Sequence, residues 1–349
     1  MEKRENLTEK EQLEIIKSVE KDFLKFWDPN FDNSCFRECR DNFALTELVE
    51  SVQILKQDLS SKPRFTIAIP TYKRVKEFLR ALECAFNQDI KEEYEILVVE
   101  NTDAFEETDL EKILKEKYQG KINYYKNREN IGAYGNWNRC IELVQGGWVC
   151  LLHSDDTITP NCLSEMKKVV DDKRYSDAVI IGTTYRKKRV SGLLNKLRAK
   201  IIQSDLMQCE NWFQKPHQTN SLKIMPANAR FHNREKFLKM GGYNQDGYPT
   251  EDQILINRII CNGGKIYTNY KKKLHDVNFD TSISAKPKTI LQFIMINPIV
   301  FFAFIPDKEV ARECSQYQIK KYQKSLRVRG YDMIASHADE VISKISRIS

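Results

Sequence analysis

Apolar residues change their period along this chain. From residue 8 to residue 59, Leu13, Ile16, Phe23 and Leu24, and later Leu45, Leu48, Val52 and Leu55, recur at helical spacing, with Asp28-Pro29-Asn30 as a break. The pattern predicts a helical N-terminal extension over 1–62, acting as an accessory cap. Ser60-Ser61-Lys62-Pro63 marks a junction, and beyond it short apolar runs alternate with amphipathic helices. That alternation is the signature of a parallel, doubly wound sheet. Strands are predicted at 65–70 (FTIAIP), 95–100 (EILVVE), 122–126 (INYYK), 148–152 (WVCLL) and 178–181 (AVII), with an edge strand at 267–274. Helices are predicted near 75–86, 109–118, 134–144 and 162–170. Thr108 with Glu111 reads as a capping box, and Gly146-Gly147 as a helix stop. The fold class is α/β: a mostly parallel sheet flanked by helices over 63–283, with helical N- and C-terminal extensions, the latter over 284–349.

In such sheets ligands bind beyond the carboxyl ends of the strands, so the residues following each strand carry the candidate chemistry. They are Pro70-Thr71-Tyr72, Glu100-Asn101-Thr102-Asp103 and His153-Ser154-Asp155-Asp156, together with the loop and helix start from Asn127 to Arg139. Asp155 and Asp156 repel each other at the mouth of a buried strand, and a divalent cation such as Mg²⁺ or Mn²⁺ would relieve that cost. The competing use is a helix cap before Pro160. A second acidic pair, Glu251-Asp252, opens a helical stretch, where it serves either as a cap or as a general base taking a proton from a hydroxyl. His275 is either a hydrogen-bonded structural residue or a ligand to a metal or a diphosphate.

Charge narrows the partner. The chain carries 56 Lys+Arg against 49 Asp+Glu, a net of +7. Residues 1–62 hold 14 acids and 10 bases, which leaves 46 bases against 35 acids, or +11, on the remainder. An anionic ligand or surface suits that body. Nucleic acid is excluded because no zinc-finger, RNP-type or basic-zipper pattern is present and bases are interleaved with acids. A composition of 41% hydrophobic and 30% charged residues excludes a disordered or collagen-like chain. Nine cysteines without metal-finger spacing predict reduced thiols in a cytoplasmic compartment, and the polar start MEKRENLTEKE predicts no secretory signal.

Taken in order, FTIAIPTYKR, EILVVENTD, NRENIGAYGNWNRCIELVQGGWVCLLHSDD and FHNREKFLKMGGYNQDGYPTEDQILI resemble the nucleotide-diphospho-sugar glycosyltransferases of the GT-A (Rossmann-like) fold, glycosyltransferase family 2, over about 64–280. The resemblance implies that Pro70, Thr71 and Tyr72 line a uridine pocket and that Glu100 approaches the base edge or ribose. It further implies that Asn130, Gly132 and Arg139 border the nucleotide and its phosphates, and that Ser154, Asp155 and Asp156 form the donor site. Asp155 matches the metal carboxylate of the family's Asp-x-Asp motif, with Asp156 beside it and His275 as a further metal or pyrophosphate contact. Asp252, with Glu251 as neighbour, matches the base of inverting members. Two positions depart from the pattern: His153 stands where a first Asp is common, and Glu100 where the second strand often ends in Asp.

These residues imply an inverting, metal-dependent enzyme that moves a sugar from a UDP-sugar to a hydroxyl of a saccharide or lipid-linked oligosaccharide, with Mn²⁺ or Mg²⁺ as cofactor, in bacterial surface polysaccharide synthesis. The alternative is a catalytically silent sugar-nucleotide-binding or scaffold protein. An oxidoreductase is disfavoured because no Gly-x-Gly-x-x-Gly follows the first strand. Residues 186–200 (RKKRVSGLLNKLRAK) hold seven bases and no acid, either as a solvated helix or as a contact to an anionic membrane surface at the inner face of the cell membrane. Residues 290–305 (ILQFIMINPIVFFAFI) are apolar but shorter than a roughly 20-residue span, which predicts a core or docking helix rather than one inserted in a monolayer. Tyr317, Ile319, Tyr322 and Leu326 offer a stripe for packing on the main domain or for oligomerisation.

Overall fold

The first helix of the computed structural model, α1 (Glu9–Phe23), starts where its sequence caps it. The Thr8 side chain accepts from the Glu11 backbone N–H, and the Glu11 carboxylate accepts from the Thr8 N–H at 2.7 Å. Its buried face is Gln12, Ile16, Val19 and Phe23. A short α2 (Ala44–Glu47) follows, and then the helical expectation fails: Ser51–Leu55 is a strand, β1. Leu45 and Leu48 are 63% and 96% exposed, so their spacing marks no packed face. Val52 and Leu55 lie in a strand that pairs along one flank of the sheet, where backbone pairing outweighs local periodicity. Residues 7–28, 30–186, 207–208, 230–277 and 286–345 are described.

The sheet is built from β2 (Phe65–Thr71), β3 (Glu95–Glu100), β4 (Asn123–Asn127), β5 (Trp148–Leu151), β6 (Thr157–Ile158), β7 (Ala178–Arg186), β8 (Met207–Gln208), β9 (Arg230–Asn233) and β10 (Lys265–Asp276), in addition to β1. Helices α3 (Val75–Phe86), α4 (Asp109–Lys117), α5 (Gly132–Leu143), α6 (Cys162–Val170), α7 (Arg234–Lys239) and α8 (Glu251–Cys261) cover it. The strand order is β1-β4-β3-β2-β5-β9-β7-β10-β6, with β8 pairing β10. β4, β3, β2 and β5 form the parallel centre, and every residue of β2 and β3 is buried, as continuous apolar strands covered on both faces should be. β9 inserts antiparallel between β5 and β7, which sets Arg230 beside Leu151 at the carboxyl end of β5. At the far edge His275 pairs with Ile158. The carboxyl ends of β2, β3 and β5 and the tail of β10 thus open on one crevice.

Helices α9 (Pro287–Phe304), α10 (Lys308–Val328) and α11 (Asp332–Ile345) pack with α1 into a second apolar core that also takes in Ile254 of α8. α9 is long and apolar enough to cross a membrane by length and composition, yet 83% of it is buried inside the fold. Its even spread of apolar residues suits a helix enclosed on all sides. The His337 imidazole lies between Glu20 of α1 at 3.4 Å and Glu340 at 3.2 Å. The basic run expected at 186–200 lies, apart from the backbone of Arg186, outside the described residues.

Arg139 ties the N-terminal segment to the sheet. From α5 its guanidinium donates to the Thr46 carbonyl at 2.5 Å, the Val49 carbonyl at 2.9 Å and the Ser51 hydroxyl, while Nε meets Glu142 at 3.1 Å. Arg139→Leu takes the guanidinium donor from the Val49 carbonyl and leaves the Thr46 carbonyl with the Val49 N–H alone, and each such loss costs about 1–3 kcal/mol. Urea denaturation should show a lower midpoint and about 2–4 kcal/mol of lost stability.

Candidate active site

Between β2 and β3 the crevice is floored by Pro70 and Thr71, both buried, and the Thr71 hydroxyl is buried without a hydrogen-bond partner. At the rim Tyr72 donates to Asp103 at 2.7 Å, Lys73 pairs with the same carboxylate at 2.9 Å, and Asn130 donates to it at 2.9 Å. These hydrogen bonds hold the Asp103 carboxyl down to about 2. The Asn130 carbonyl also accepts from Asn101 at 2.6 Å and from the Gly132 N–H at 3.0 Å. Gly132 has φ +74°, and a Cβ there would meet Gln245 Oε1 at 2.9 Å. Asn130 and Gly132 therefore shape the loop that enters α5.

Two expected nucleotide contacts point elsewhere. Glu100 is 4% exposed and accepts from the Tyr124 hydroxyl and, at 3.2 Å, from Thr108. Burial raises its pKa against those hydrogen bonds. Thr108 accepts from the Glu111 N–H at 3.1 Å, but the Glu111 carboxylate pairs with Lys126 at 2.8 Å and Lys115 at 2.7 Å rather than completing the capping box. Arg139, expected to border the phosphates, faces the N-terminal segment instead, because the carbonyls at the end of α2 need its donors.

The loop after β5 gathers the acids. Ligand atoms of His153, Asp155 and Asp156 all lie within 4.8 Å of one another, and Ser154 between them is buried. The Asp155 carboxylate is held by Arg74 at 2.5 Å, and its carbonyl accepts from Arg80 at 2.9 Å. Arg74 and its neighbour Lys73 both adopt left-handed backbone, φ 65° and 55°, in the loop leaving β2. Consecutive non-glycine residues in that region store roughly 1–3 kcal/mol each. His153 packs on the Trp137 indole, ring centroids 4.5 Å apart. Its Nδ1 is 3.9 Å from Asp156 Oδ2, and its Nε2 is buried without a hydrogen-bond partner. Burial lowers the His153 imidazole to about 4, with Asp155 opposing and Arg230 assisting. His275 is fully buried, 3.4 Å from the Thr183 hydroxyl, and is likewise lowered to about 4 by burial and by His153.

A neutral imidazole beside two carboxylates is a donor set that fits a divalent cation, and Mn²⁺ accepts the nitrogen more readily than Mg²⁺. A cation there would share Asp155 with Arg74.

Glu251 and Asp252, neighbours in sequence, have opposite surroundings. Glu251 is fully buried, paired with the fully buried Arg258 at 2.5 Å and accepting from the Asn244 N–H at 2.8 Å. It fixes the first turn of α8 and the loop before it. Asp252 is only half-buried, and Arg230 donates to its backbone carbonyl at 3.1 Å. Burial raises the Asp252 carboxyl, opposed by the Arg230 guanidinium and the Gln253 N–H. Burial is the main cause that lowers His232, to about 3, as it lowers His153 and His275, and Arg230 adds to all three, so acids and imidazoles face one buried guanidinium. Sequence reasoning missed Arg230. The stretch that carries the family resemblance begins one residue later, at Phe231, and only the antiparallel pairing with β5 brings Arg230 to the acids.

Residues 66–230 match the family described as Glycosyl transferase family 2. An uncharacterized glycosyltransferase of Methanocaldococcus jannaschii is 24% identical over 208 residues, 58% of this chain and 67% of that one. The amylovoran biosynthesis glycosyltransferase AmsB of Erwinia amylovora is 30% identical over 93 residues, which span 26% of this chain and 31% of AmsB. Among solved structures, S. aureus TarS in complex with UDP-GlcNAc superposes with a TM-score of 0.50 at 12% identity, covering 82% of this chain and 90% of that one.

The two neighbouring acids should separate by stability. Glu251→Ala leaves the Arg258 guanidinium buried and unpaired, at a cost of about 3–5 kcal/mol. Asp252→Asn, half-buried and nearly isosteric, should stay within about 1 kcal/mol of the parent in the same urea titration.

Proposed function

With residues 66–230 constituting a family 2 glycosyltransferase domain on a GT-A fold, we propose that this protein transfers a sugar from a UDP-sugar to a saccharide hydroxyl with inversion, using Asp252 as the base. The observation that carries the reading is Arg230, which donates to the backbone carbonyl of the half-buried Asp252 and acts electrostatically both on its carboxyl and on His153 of the His153, Asp155 and Asp156 cluster. Pro70, Thr71 and Tyr72 would cradle the nucleoside, and the unpartnered Thr71 hydroxyl is available to it. His153, Asp155 and Asp156 would hold Mn²⁺ or Mg²⁺, which when bound supplies a Lewis acid for the leaving diphosphate. Arg74 and Arg80 add positive charge on that side. Asp252 takes the acceptor proton as its oxygen attacks the anomeric carbon from the face opposite the leaving group. Glu251 holds that helix turn in place rather than acting on substrate.

The acceptor side of the reading is a lipid-linked oligosaccharide of surface polysaccharide synthesis, met by an enzyme resting on the inner face of the membrane. Its support is the +11 carried by residues 63–349 and the amylovoran biosynthesis role in the name of AmsB.

A UDP-release assay with and without Mn²⁺ tests the core of the proposal. Asp252→Asn should lose about 10²–10⁴-fold in kcat, the contribution of a positioned base, while calorimetry shows UDP still bound. Full turnover by this variant would reject Asp252 as the base, and UDP binding with no UDP release by the parent would favour the catalytically silent alternative. Because the base must be ionised and its pKa is raised, kcat/KM should fall as pH drops through a point above the value of a free aspartate. An acid limb below the value of a free aspartate would contradict Asp252 as the base.

Arg74→Met removes the Arg74 ion pair from the Asp155 carboxylate. Titrated without nucleotide, Mn²⁺ should then bind about three- to tenfold more tightly, the size expected for a partly exposed ion pair.

A further inference from the structure

The helices on either side of the family 2 domain meet at a histidine whose polar atoms the packing does not use. Ile16, Val19 and Phe23 of α1 share one apolar core with Ile334, Ala338 and Val341 of α11, and His337, beside Ala338, is 8% exposed. Carboxylates from both helices flank its ring. Nε2 is 3.4 Å from Glu20 Oε1 of α1, and Nδ1 is 3.2 Å from Glu340 Oε2, one turn on along α11. Nε2 is buried without a hydrogen-bond partner, so Glu20 stands at ion-pair distance but out of line for a hydrogen bond. A protonated ring would donate to Glu20 from that nitrogen. A neutral ring with its N–H on Nδ1 instead turns the Nε2 lone pair toward an anion, which is unfavourable in a buried place unless a cation stands between them.

We propose that Glu20, His337 and Glu340 form a site for a zinc-class cation that fastens α1 to α11. One imidazole nitrogen and one oxygen from each carboxylate lie within 4.8 Å of one another. The 3.4 Å gap between Nε2 and Glu20 is that of two ligands on one cation. Tetrahedral bonds of about 2.0–2.1 Å set ligand atoms about 3.4 Å apart, longer than an ordinary N–H···O contact of about 2.9 Å. Glu20 is half-buried and Glu340 exposed, so both carboxylates can turn toward an ion at the edge of the core, and a water completes its shell. A nitrogen with two carboxylate oxygens suits Zn²⁺ better than Mg²⁺ or Ca²⁺, which take oxygen alone. The site exists only while α1 is packed on α11, so a bound cation stabilises that docking. Both helices lie outside residues 66–230, and these three residues are distinct from the His153, Asp155 and Asp156 cluster.

Zn²⁺ titration calorimetry on the full chain carrying Asp155→Asn, which weakens the crevice cluster, tests the proposal. One equivalent of Zn²⁺ should bind. Adding Glu20→Gln or Glu340→Gln, both nearly isosteric and at the surface, should each weaken it about tenfold or more, and His337→Gln should abolish it. Zn²⁺ at about 100 times its Kd should raise the melting temperature of the Asp155→Asn chain by a few degrees and leave that of the added His337→Gln variant where it was. No Zn²⁺ bound would overturn the site. Zn²⁺ bound with the same affinity after Glu20→Gln and Glu340→Gln would also overturn it, since the ion would then sit on cysteines or in the crevice.

Discussion

A single buried guanidinium organises the chemistry of this crevice. Arg230 is fully enclosed at the end of a strand inserted against β5, where it anchors the Asp252 backbone and reinforces the burial that keeps His153, His232 and His275 neutral. One fixed positive charge in a low-dielectric pocket acts on every titratable neighbour at once. It restrains the rise of the Asp252 pKa and adds to the burial that leaves the imidazoles neutral. Removing it would change the protonation of several groups together, so the acids and histidines of this site behave as one electrostatic unit.

Around that charge the structure divides labour between residues that sequence places side by side. Glu251 is sealed in an ion pair with Arg258 and sets the pitch of α8, while Asp252, one residue on, keeps part of its surface in the crevice. Asn101, Asn127, Asn130 and Asn136 likewise form a network of amides that braces the loop into α5, while the Thr71 hydroxyl and His153 Nε2 are buried with no hydrogen-bond partner. Groups already satisfied inside the protein position, and groups left unsatisfied at a cleft are suited to receive a ligand.

The central strands were legible because burial on both faces writes itself as unbroken apolar runs, and β2, β3 and β5 fall where FTIAIP, EILVVE and WVCLL predict them. The acids after β5 followed from the same logic. What could not be read is whatever depends on contacts distant in sequence. Ser51–Leu55 looked helical and became a strand because β4 offered it a pairing edge. Arg139 looked like a phosphate ligand and turned to carbonyls some 90 residues earlier in the chain. Arg230 gave no periodic or motif signal at all, and its importance comes from strand order, which local pattern does not encode.

The turn leaving β2 has a mechanical consequence. Lys73 and Arg74 sit in a backbone basin that side chains resist, and each is tethered by an ion pair, Lys73 to Asp103 on one bank and Arg74 to Asp155 on the other. The tethers span the crevice mouth like two guy-lines on a bent pole. Any occupant that claims Asp155 competes with Arg74 for it, so filling the crevice and tethering its doorway draw on a single carboxylate.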